Sequence, residues 1–377
     1  MVTPSVTRLV ISGYYGFRNS GDEAVLKSIL TALEEEGARA GIRIEPIVLS
    51  VDPEWTTSMY GVKAVHRMKL GEVRRALKES DGLISGGGSL LQDATSMKSI
   101  PYYLGIIKIA QWLKKPVFIY AQGIGPVNRG VFHPFIAGIF RKCSYVSVRD
   151  NESAELLASM RLNRGNIEVV PDPVMGLPLP EGMVPRETAS AGEELPVVGI
   201  SVRYWNPERL ELIQLAAGLA ALAGQMMVHF RFLPFHVPGD DEASRFVIER
   251  MESVQSLGSV VSVAPETLDP QAMLAEVSRC DALIGMRLHS LIYAANQRVP
   301  LLGISYDPKI DHFLARLGSV PAGTSDQLDP HIVASELRGL LKDGDAWRAR
   351  NAARIDNLKQ EARRPAERIA EFFKNRG

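Results

Sequence analysis

Short apolar runs alternate with segments of helical spacing along most of this chain. Leu9–Ser12, Ile44–Ser50, Gly82–Ser85, Val117–Ala121, Tyr145–Arg149 and Ile167–Pro171 read as a first series of strands. The segments between them, Asp22–Glu36 and Leu104–Leu113 among them, carry apolar positions at helical spacing with capping residues ahead of them. Parallel strands need such crossovers, so the pattern predicts an α/β fold with doubly wound parallel sheets.

Pro178 to Pro196 breaks the alternation. It is polar, rich in proline and without periodicity, and it reads as a linker. A second strand series follows: Val197–Val202, Met227–Leu233, Val260–Val263, Ala282–Ile284 and Leu301–Ile304. The two series are related. Ser80–Leu91 aligns without a gap on Cys280–Leu291, and in each the next apolar strand follows a proline, Pro116 in one and Pro300 in the other. The expected organisation is an N-terminal Rossmann-like domain over 1–177, a linker over 178–196, a C-terminal Rossmann-like domain over 197–346 and a helical tail over 347–377. The two domains are expected to face one another across a cleft. The tail, with Ile355, Leu358, Ala362, Ile369 and Phe372 on one stripe, is expected to pack on the body and cross back to the first domain.

Composition narrows the class. Hydrophobic residues make up 46% and charged residues 23%, as in a soluble globular protein, and Lys plus Arg equals Asp plus Glu at 43 each. No global field draws in nucleic acid or an anionic membrane, so none is expected from net charge alone. Cys143 and Cys280 lie far apart in apolar surroundings and read as reduced thiols. Leu9–Ile11 is strand-length and lacks a basic leader, and Leu212–Val228 carries Gln214, Gly218, Gly224 and Gln225, short of a spanning segment. A cytoplasmic protein, at most peripheral to the inner membrane face, is expected.

Ligands of doubly wound sheets bind beyond the carboxyl ends of the strands, so the polar residues that follow strands carry the chemistry. Gly13–Glu23 follows the first strand and opens a helix; it is glycine-rich but lacks the Gly-x-Gly-x-x-Gly spacing of a dinucleotide site. Asp22 and Glu23 read either as first-turn acids favoured by the helix dipole or as a grip on a sugar hydroxyl. Gly86, Gly87 and Gly88 let a ligand approach backbone, against the alternative of a tight turn needing positive φ. Gln122 opens a further glycine turn. Arg149, His236, Arg287, His289 and Lys309 fall at strand ends, where basic groups suit a small ligand with more than one anionic group. For Arg149 the competing reading is a structural salt bridge to Asp150 or Asp172. No Cys/His spacing supports zinc and no Asp-x-Asp pair supports a nucleotide-bound metal, so no metal or cofactor is expected.

Gly16-Phe17-Arg18-Asn19-Ser20-Gly21-Asp22-Glu23-Ala24, Gly86–Asp93, Gln122–Pro126, Ser147–Asp150, Met286–His289 and Tyr306–Lys309 run in order over nearly the whole chain outside the linker and tail. Together they resemble the polysaccharide pyruvyl transferase family, and within it the ketal pyruvyltransferases of bacterial secondary cell-wall polymers, which anchor surface-layer proteins. The resemblance implies the two-domain GT-B fold. It implies transfer of the pyruvyl unit of phosphoenolpyruvate, a co-substrate, onto N-acetylmannosamine of a lipid-linked disaccharide precursor. On that analogy Arg149 and Arg287 hold the donor, Leu288 packs beside it and His289 lies near the reacting carbon, with His236 and Lys309 nearby. Asn19, Asp22, Glu23, Gly86, Gly87, Gly88 and Gln122 fall to the acceptor.

The chemistry expected is protonation of the enol methylene by His289, since histidine titrates near ~6.5. Addition of one sugar hydroxyl, loss of phosphate and closure by a second hydroxyl then give the ketal. Asp22, Glu23, His236 and Asp307 are the candidate bases. Two other classes compete: a glycosyltransferase using a nucleotide-sugar, which requires a ribose-binding acid and base stacking in the second domain, and a non-catalytic glycan-binding protein, which has no use for an acid/base group.

Overall fold

The computed structural model describes residues 5–94, 96–183 and 195–376. Residues 184–194 of the expected linker lie outside the described residues. The chain divides into two compact units, one of Met1–Leu177 with Leu358–Gly377 and one of Pro178–Asn357.

In the first unit the strands are β1 (Ser5–Tyr15), β2 (Ile42–Ser50), β3 (Lys63–His66), β4 (Gly82–Gly86), β5 (Val117–Gln122), β6 (Tyr145–Val148) and β7 (Glu168–Val169). Between them run α1 (Ser20–Ala40), α2 (Pro53–Tyr60), α3 (Leu70–Glu79), α4 (Ser99–Trp112), α5 (His133–Phe140) and α6 (Asn151–Ser159). In the second unit β8 (Val197–Ser201), β9 (His229–Phe232), β10 (Val260–Val263), β11 (Ala282–Gly285), β12 (Leu301–Ser305) and β13 (Gly323–Thr324) alternate with α7 (Leu210–Ala223), α8 (Gly239–Ile248), α9 (Pro270–Ser278), α10 (Leu288–Asn296), α11 (Pro308–Arg316) and α12 (Pro330–Lys342); α13 (Gly344–Lys374) ends the chain.

Both sheets are wholly parallel and share one order. The first runs β3-β2-β1-β4-β5-β6-β7 and the second β10-β9-β8-β11-β12-β13. This is the doubly wound order in which the chain reverses direction beside its first strand, at β1/β4 and at β8/β11. Central strands are apolar on both faces because helices cover both: Leu83 and Ile84 of β4, and Leu283 and Ile284 of β11, are buried.

The internal repeat lies at the same topological position in each sheet. Asp81 accepts the backbone N–H of Arg8 at 2.7 Å and its own N–H donates to the Arg8 carbonyl at 2.7 Å. Asp281 does the same with Val197, at 2.8 Å in both directions. In each unit an aspartate staples the strand beyond the reversal to the first strand of its sheet.

The edge strands β3 and β13 were not legible in the hydrophobic pattern, because four-residue and two-residue strands with half-buried or exposed side chains carry too little of it. The tail helix begins at Gly344, three residues ahead of the expected start, and runs to Lys374. Its stripe Ile355, Leu358, Ala362, Ala366 and Ile369 is buried, and Phe372 and Phe373 close on Phe118 with ring centroids at 5.1 and 5.7 Å. Cys280 is buried, Cys143 is half-buried, and neither forms a disulfide.

Candidate active site

In the first unit the ligand edge is built where β1, β4, β5 and β6 end. Asn19 caps α1, its side chain accepting from the N–H groups of Gly21 and Asp22 at 3.1 and 3.4 Å. Glu23 is buried and braces the loop, accepting from Gly16 N–H at 2.9 Å and from the Tyr60 hydroxyl at 2.8 Å. Two of the expected acceptor residues are thus committed to shaping the loop.

Asp22 is different. Burial pushes its carboxyl up to about 7, the neighbouring Glu23 and Asp172 carboxylates add to the rise, and Arg149 opposes it. Arg149 itself follows β6 and is nearly buried. It donates to Ser89 Oγ at 3.1 Å, pairs with Asp172 at 3.4 Å and lies 3.8 Å from Asp150. The structural salt bridge anticipated for this arginine exists, and its effect is to hold the guanidinium beside Asp22.

The glycine turn after β4 has a packing reason at each position. Gly87 has φ +49°, and a Cβ there would run into Val25 of α1. Gly88, at φ +71°, would bring a Cβ to 2.8 Å from Asp22 Oδ1, and Gly86 to 3.0 Å from Ile29 Cδ1. The turn therefore lets α1 approach closely and leaves room for the Asp22 carboxyl. Gly123 leaves room for Arg149 in the same way, since a Cβ would lie 2.9 Å from both Arg149 Nη2 and Ser89 Oγ.

Buried polar atoms gather at this edge. Ser12 on β1 and Ser85 on β4 are in register, and Gln122 ends β5. The two hydroxyls and both ends of the Gln122 amide are buried without a hydrogen-bond partner among the described residues. Each such group costs about 1–3 kcal/mol unless something pairs with it, and a bound ligand is one thing that can pair with it.

An aromatic cluster lies at the same edge. Arg67, just beyond β3, is buried among four rings: Tyr102 at 4.5 Å, Phe17 at 5.3 Å, Tyr103 at 5.5 Å and Tyr14 at 5.9 Å. It donates to the Gly13 carbonyl and the Tyr103 hydroxyl. Tyr14 and Phe17 stack face to face at 3.9 Å and stay two-fifths exposed. Sequence reasoning missed Arg67 because it missed β3.

In the second unit Arg287 is the N-cap residue of α10 and His289 stands half-buried in its first turn. The Arg287 guanidinium is held by both carboxylate oxygens of Asp240, which is buried at the start of α8 and also accepts from the N–H groups of Phe235 and His236. Leu288 is half-buried beside His289, and the positive end of α10 suits an anion. His236 is exposed at the turn before α8. Lys309 is half-buried in the first turn of α11, where its backbone N–H donates to the cap Asp307.

Arg203, which follows β8 as Arg149 follows β6, donates to the Tyr306 hydroxyl at 3.0 Å and lies 5.3 Å from the half-exposed Trp205 ring. The rule that picked out Arg149 would have found Arg203 had it been applied to every strand. Among the described residues no group of three or more His, Cys, Asp and Glu side chains is placed to hold a metal ion.

Two parallel sheets of this order with helices on both faces define the class as GT-B. Solved structures of that fold cover the chain end to end. A glycosyltransferase from Rickettsia africae is 11% identical with a TM-score of 0.64, over 100% of this chain and 99% of that one. UDP-GlcNAc 2-epimerases from Neisseria meningitidis (12%, TM-score 0.62, 97% and 98% covered) and Methanocaldococcus jannaschii (11%, 0.63, 98% and 99%) are alike in fold. No curated protein matches the chain. Residues 19–308 match the model of the polysaccharide pyruvyl transferase family, and the chain belongs to that family; it is a transferase.

Proposed function

We propose that this protein is a ketal pyruvyltransferase that moves the pyruvyl group of phosphoenolpyruvate onto a sugar and releases phosphate. The acceptor in this reading is N-acetylmannosamine of a lipid-linked disaccharide, the precursor of a secondary cell-wall polymer that anchors surface-layer proteins. The observation that carries the reading is Asp22, a carboxyl held near neutral pH beside the fixed guanidinium of Arg149. A binding protein has no need of such a group; acid/base chemistry does.

The roles follow from the local settings. Arg287, oriented by Asp240, and the N-terminus of α10 suit the carboxylate and phosphate of phosphoenolpyruvate. His289, one residue further, delivers a proton to the methylene carbon; the anionic charge of the donor favours the imidazolium needed for this. The adjacent carbon becomes electrophilic, and a sugar hydroxyl adds as a base takes its proton. Phosphate then leaves, its charge eased by arginine, and a second hydroxyl closes the ketal, its proton passing to the His289 imidazole left neutral by the first step. Among the candidate bases, Glu23 holds the Gly16 loop, Asp307 caps α11 and His236 is exposed to solvent, which leaves Asp22 best suited. Gln122, Ser12 and Ser85 offer unpaired hydrogen-bonding groups to the acceptor.

The test is incubation with phosphoenolpyruvate and a soluble mimic of the disaccharide, following phosphate release and a mass gain of one pyruvyl ketal. No phosphate release with any sugar acceptor overturns the reading. Near-normal turnover in His289→Ala, with Arg287→Ala inactive, removes the proton-donor role alone. Transfer from a nucleotide-sugar is the second reading, favoured by the exposed Trp205 ring, whose centroid lies 4.5 Å from that of Tyr306. It predicts UDP-dependent quenching of tryptophan fluorescence that Trp205→Ala abolishes.

A further inference from the structure

The chain is neutral as a whole, yet between Asp93 and Asp150 it has no acidic residue and eight Lys or Arg. This stretch contains α4 and α5, which are neighbours: Gln111 Nε2, near the end of α4, donates to the Ile139 carbonyl of α5 at 2.9 Å. On α4 the row Ile100, Tyr103, Leu104, Ile107 and Ala110 is buried. The opposite row, at spacings of four, three and four, is Pro101, Gly105, Lys108 and Trp112. Trp112 is 72% exposed, with Lys108 Nζ 5.8 Å from its ring. On α5 the outer row is Pro134, Phe135, Gly138 and Arg141, preceded by Val131; Phe135 is 60% and Val131 63% exposed. Met97, ahead of α4, is 55% exposed. Acids resume at Asp150, the cap of α6, and at the exposed Glu152 and Glu155 within it.

A soluble helix face normally mixes charges of both signs over polar residues. This one sets a tryptophan, a phenylalanine and a valine among cations, with a single carboxylate, Asp93, at its edge beside Arg129, a composition close to that of surfaces that lie in the interface of an anionic bilayer. We propose that the outer face of α4 and α5 docks on an anionic phospholipid membrane, with Trp112, Phe135, Val131 and Met97 entering the headgroup layer. Lys98, Lys108, Lys114, Arg129, Arg141 and Lys142 meet lipid phosphates there. Neither signal suffices by itself, but apolar insertion and a basic cluster together give stable peripheral binding. A second copy of the chain is a poor occupant, because a two-fold contact through this face would set cations against the same cations. The tail, the other basic helix, buries its apolar stripe in the body and has none to offer a bilayer. Docking goes beyond the pyruvyl-transfer reading and holds whether or not that reading does.

The full-length protein is sedimented with vesicles of equimolar phosphatidylglycerol and phosphatidylcholine, and with phosphatidylcholine alone. Binding to the anionic vesicles is expected, falling as salt rises and at least about tenfold weaker on the neutral ones. Lys108→Glu/Arg141→Glu is expected to weaken it about fivefold or more per site, and Trp112→Ser/Phe135→Ser about tenfold, with unchanged thermal midpoints. Arg350→Glu on α13 should bind like the unaltered chain. Failure of the protein to bind anionic vesicles, double variants that bind as tightly as it does, or a face whose substitution instead dissolves a dimer would each overturn the proposal. Phosphate release in the soluble assay reports on pyruvyl transfer separately.

Discussion

Arg287 and Asp240 form a fork-to-fork pair in which both carboxylate oxygens of a buried aspartate hold one guanidinium. The same carboxylate caps the turn at Phe235 and His236, so one residue fixes both the arginine and the start of α8. Asp240→Ala leaves a partly buried cation and two N–H groups unpaired, and is expected to cost about 3 kcal/mol or more in urea denaturation. Asp240→Asn keeps the turn and should raise the KM for phosphoenolpyruvate at least about tenfold, because an amide cannot present two anionic oxygens to the fork.

Asp22 gives a pH signature of definite sign. Its carboxyl titrates near 7 in the folded chain, against an ordinary value of 3.8, so the folded state holds the proton more tightly than the unfolded one. Stability is therefore lost as pH rises from the ordinary value through about 7, by at most about 4 kcal/mol. Asp22→Asn should raise the melting temperature at pH 8 and leave it nearly unchanged at pH 4. The same variant should lower kcat/KM at least about a hundredfold at pH 8 and flatten the acid limb of the pH–rate profile. A variant with full activity at pH 8 would remove Asp22 from the proton pathway.

Glycine positions that look alike in the sequence should behave in opposite ways. Gly87→Ala puts a Cβ into Val25 and holds alanine at positive φ, for an expected loss of about 2–4 kcal/mol. Gly105→Ala, inside α4 with open space around it, should gain about 0.5–1 kcal/mol. Thermal melts of the two variants decide both.

Gly123→Ala separates binding from stability. The three atoms nearest the added methyl are Arg149 Nη2, Arg149 Cζ and Ser89 Oγ, ends of side chains that can move. The melting temperature should fall by no more than a few degrees. Activity should fall at least about tenfold as Arg149 leaves its pairing with Ser89 and Asp172. Equal loss of stability and activity would mean that the contact matters only for packing.

The central strands of both sheets were legible because strands buried on both faces are continuous apolar runs, and Leu83–Ile84 and Leu283–Ile284 show it plainly. The edge strands Lys63–His66 and Gly323–Thr324 were not, and Arg67 was lost with the first. The strand-end rule located Arg149, Arg287 and His289, since position after a strand is a local property. It did not show that Asn19 and Glu23 serve the loop while Asp22 between them stands apart, because only the folded turn brings Gly88, Asp172 and Arg149 to that carboxyl. The positive φ of Gly87 was among its readings, but the packing reason was not: a Cβ there would meet Val25, some sixty positions away in the chain.

The path of the last helix has a consequence for how the protein is made. The sheet of the first unit is complete at Val169 and the unit's first stretch ends at Leu177, but Phe372 and Phe373 also belong to that unit and cover Phe118. At ordinary rates of synthesis the roughly 200 residues between take about 10–40 s to emerge. Through that interval the nascent first unit carries an uncovered aromatic patch while the second is translated. A truncation just ahead of Phe372, far from any candidate catalytic group, would leave Phe118 without those two rings.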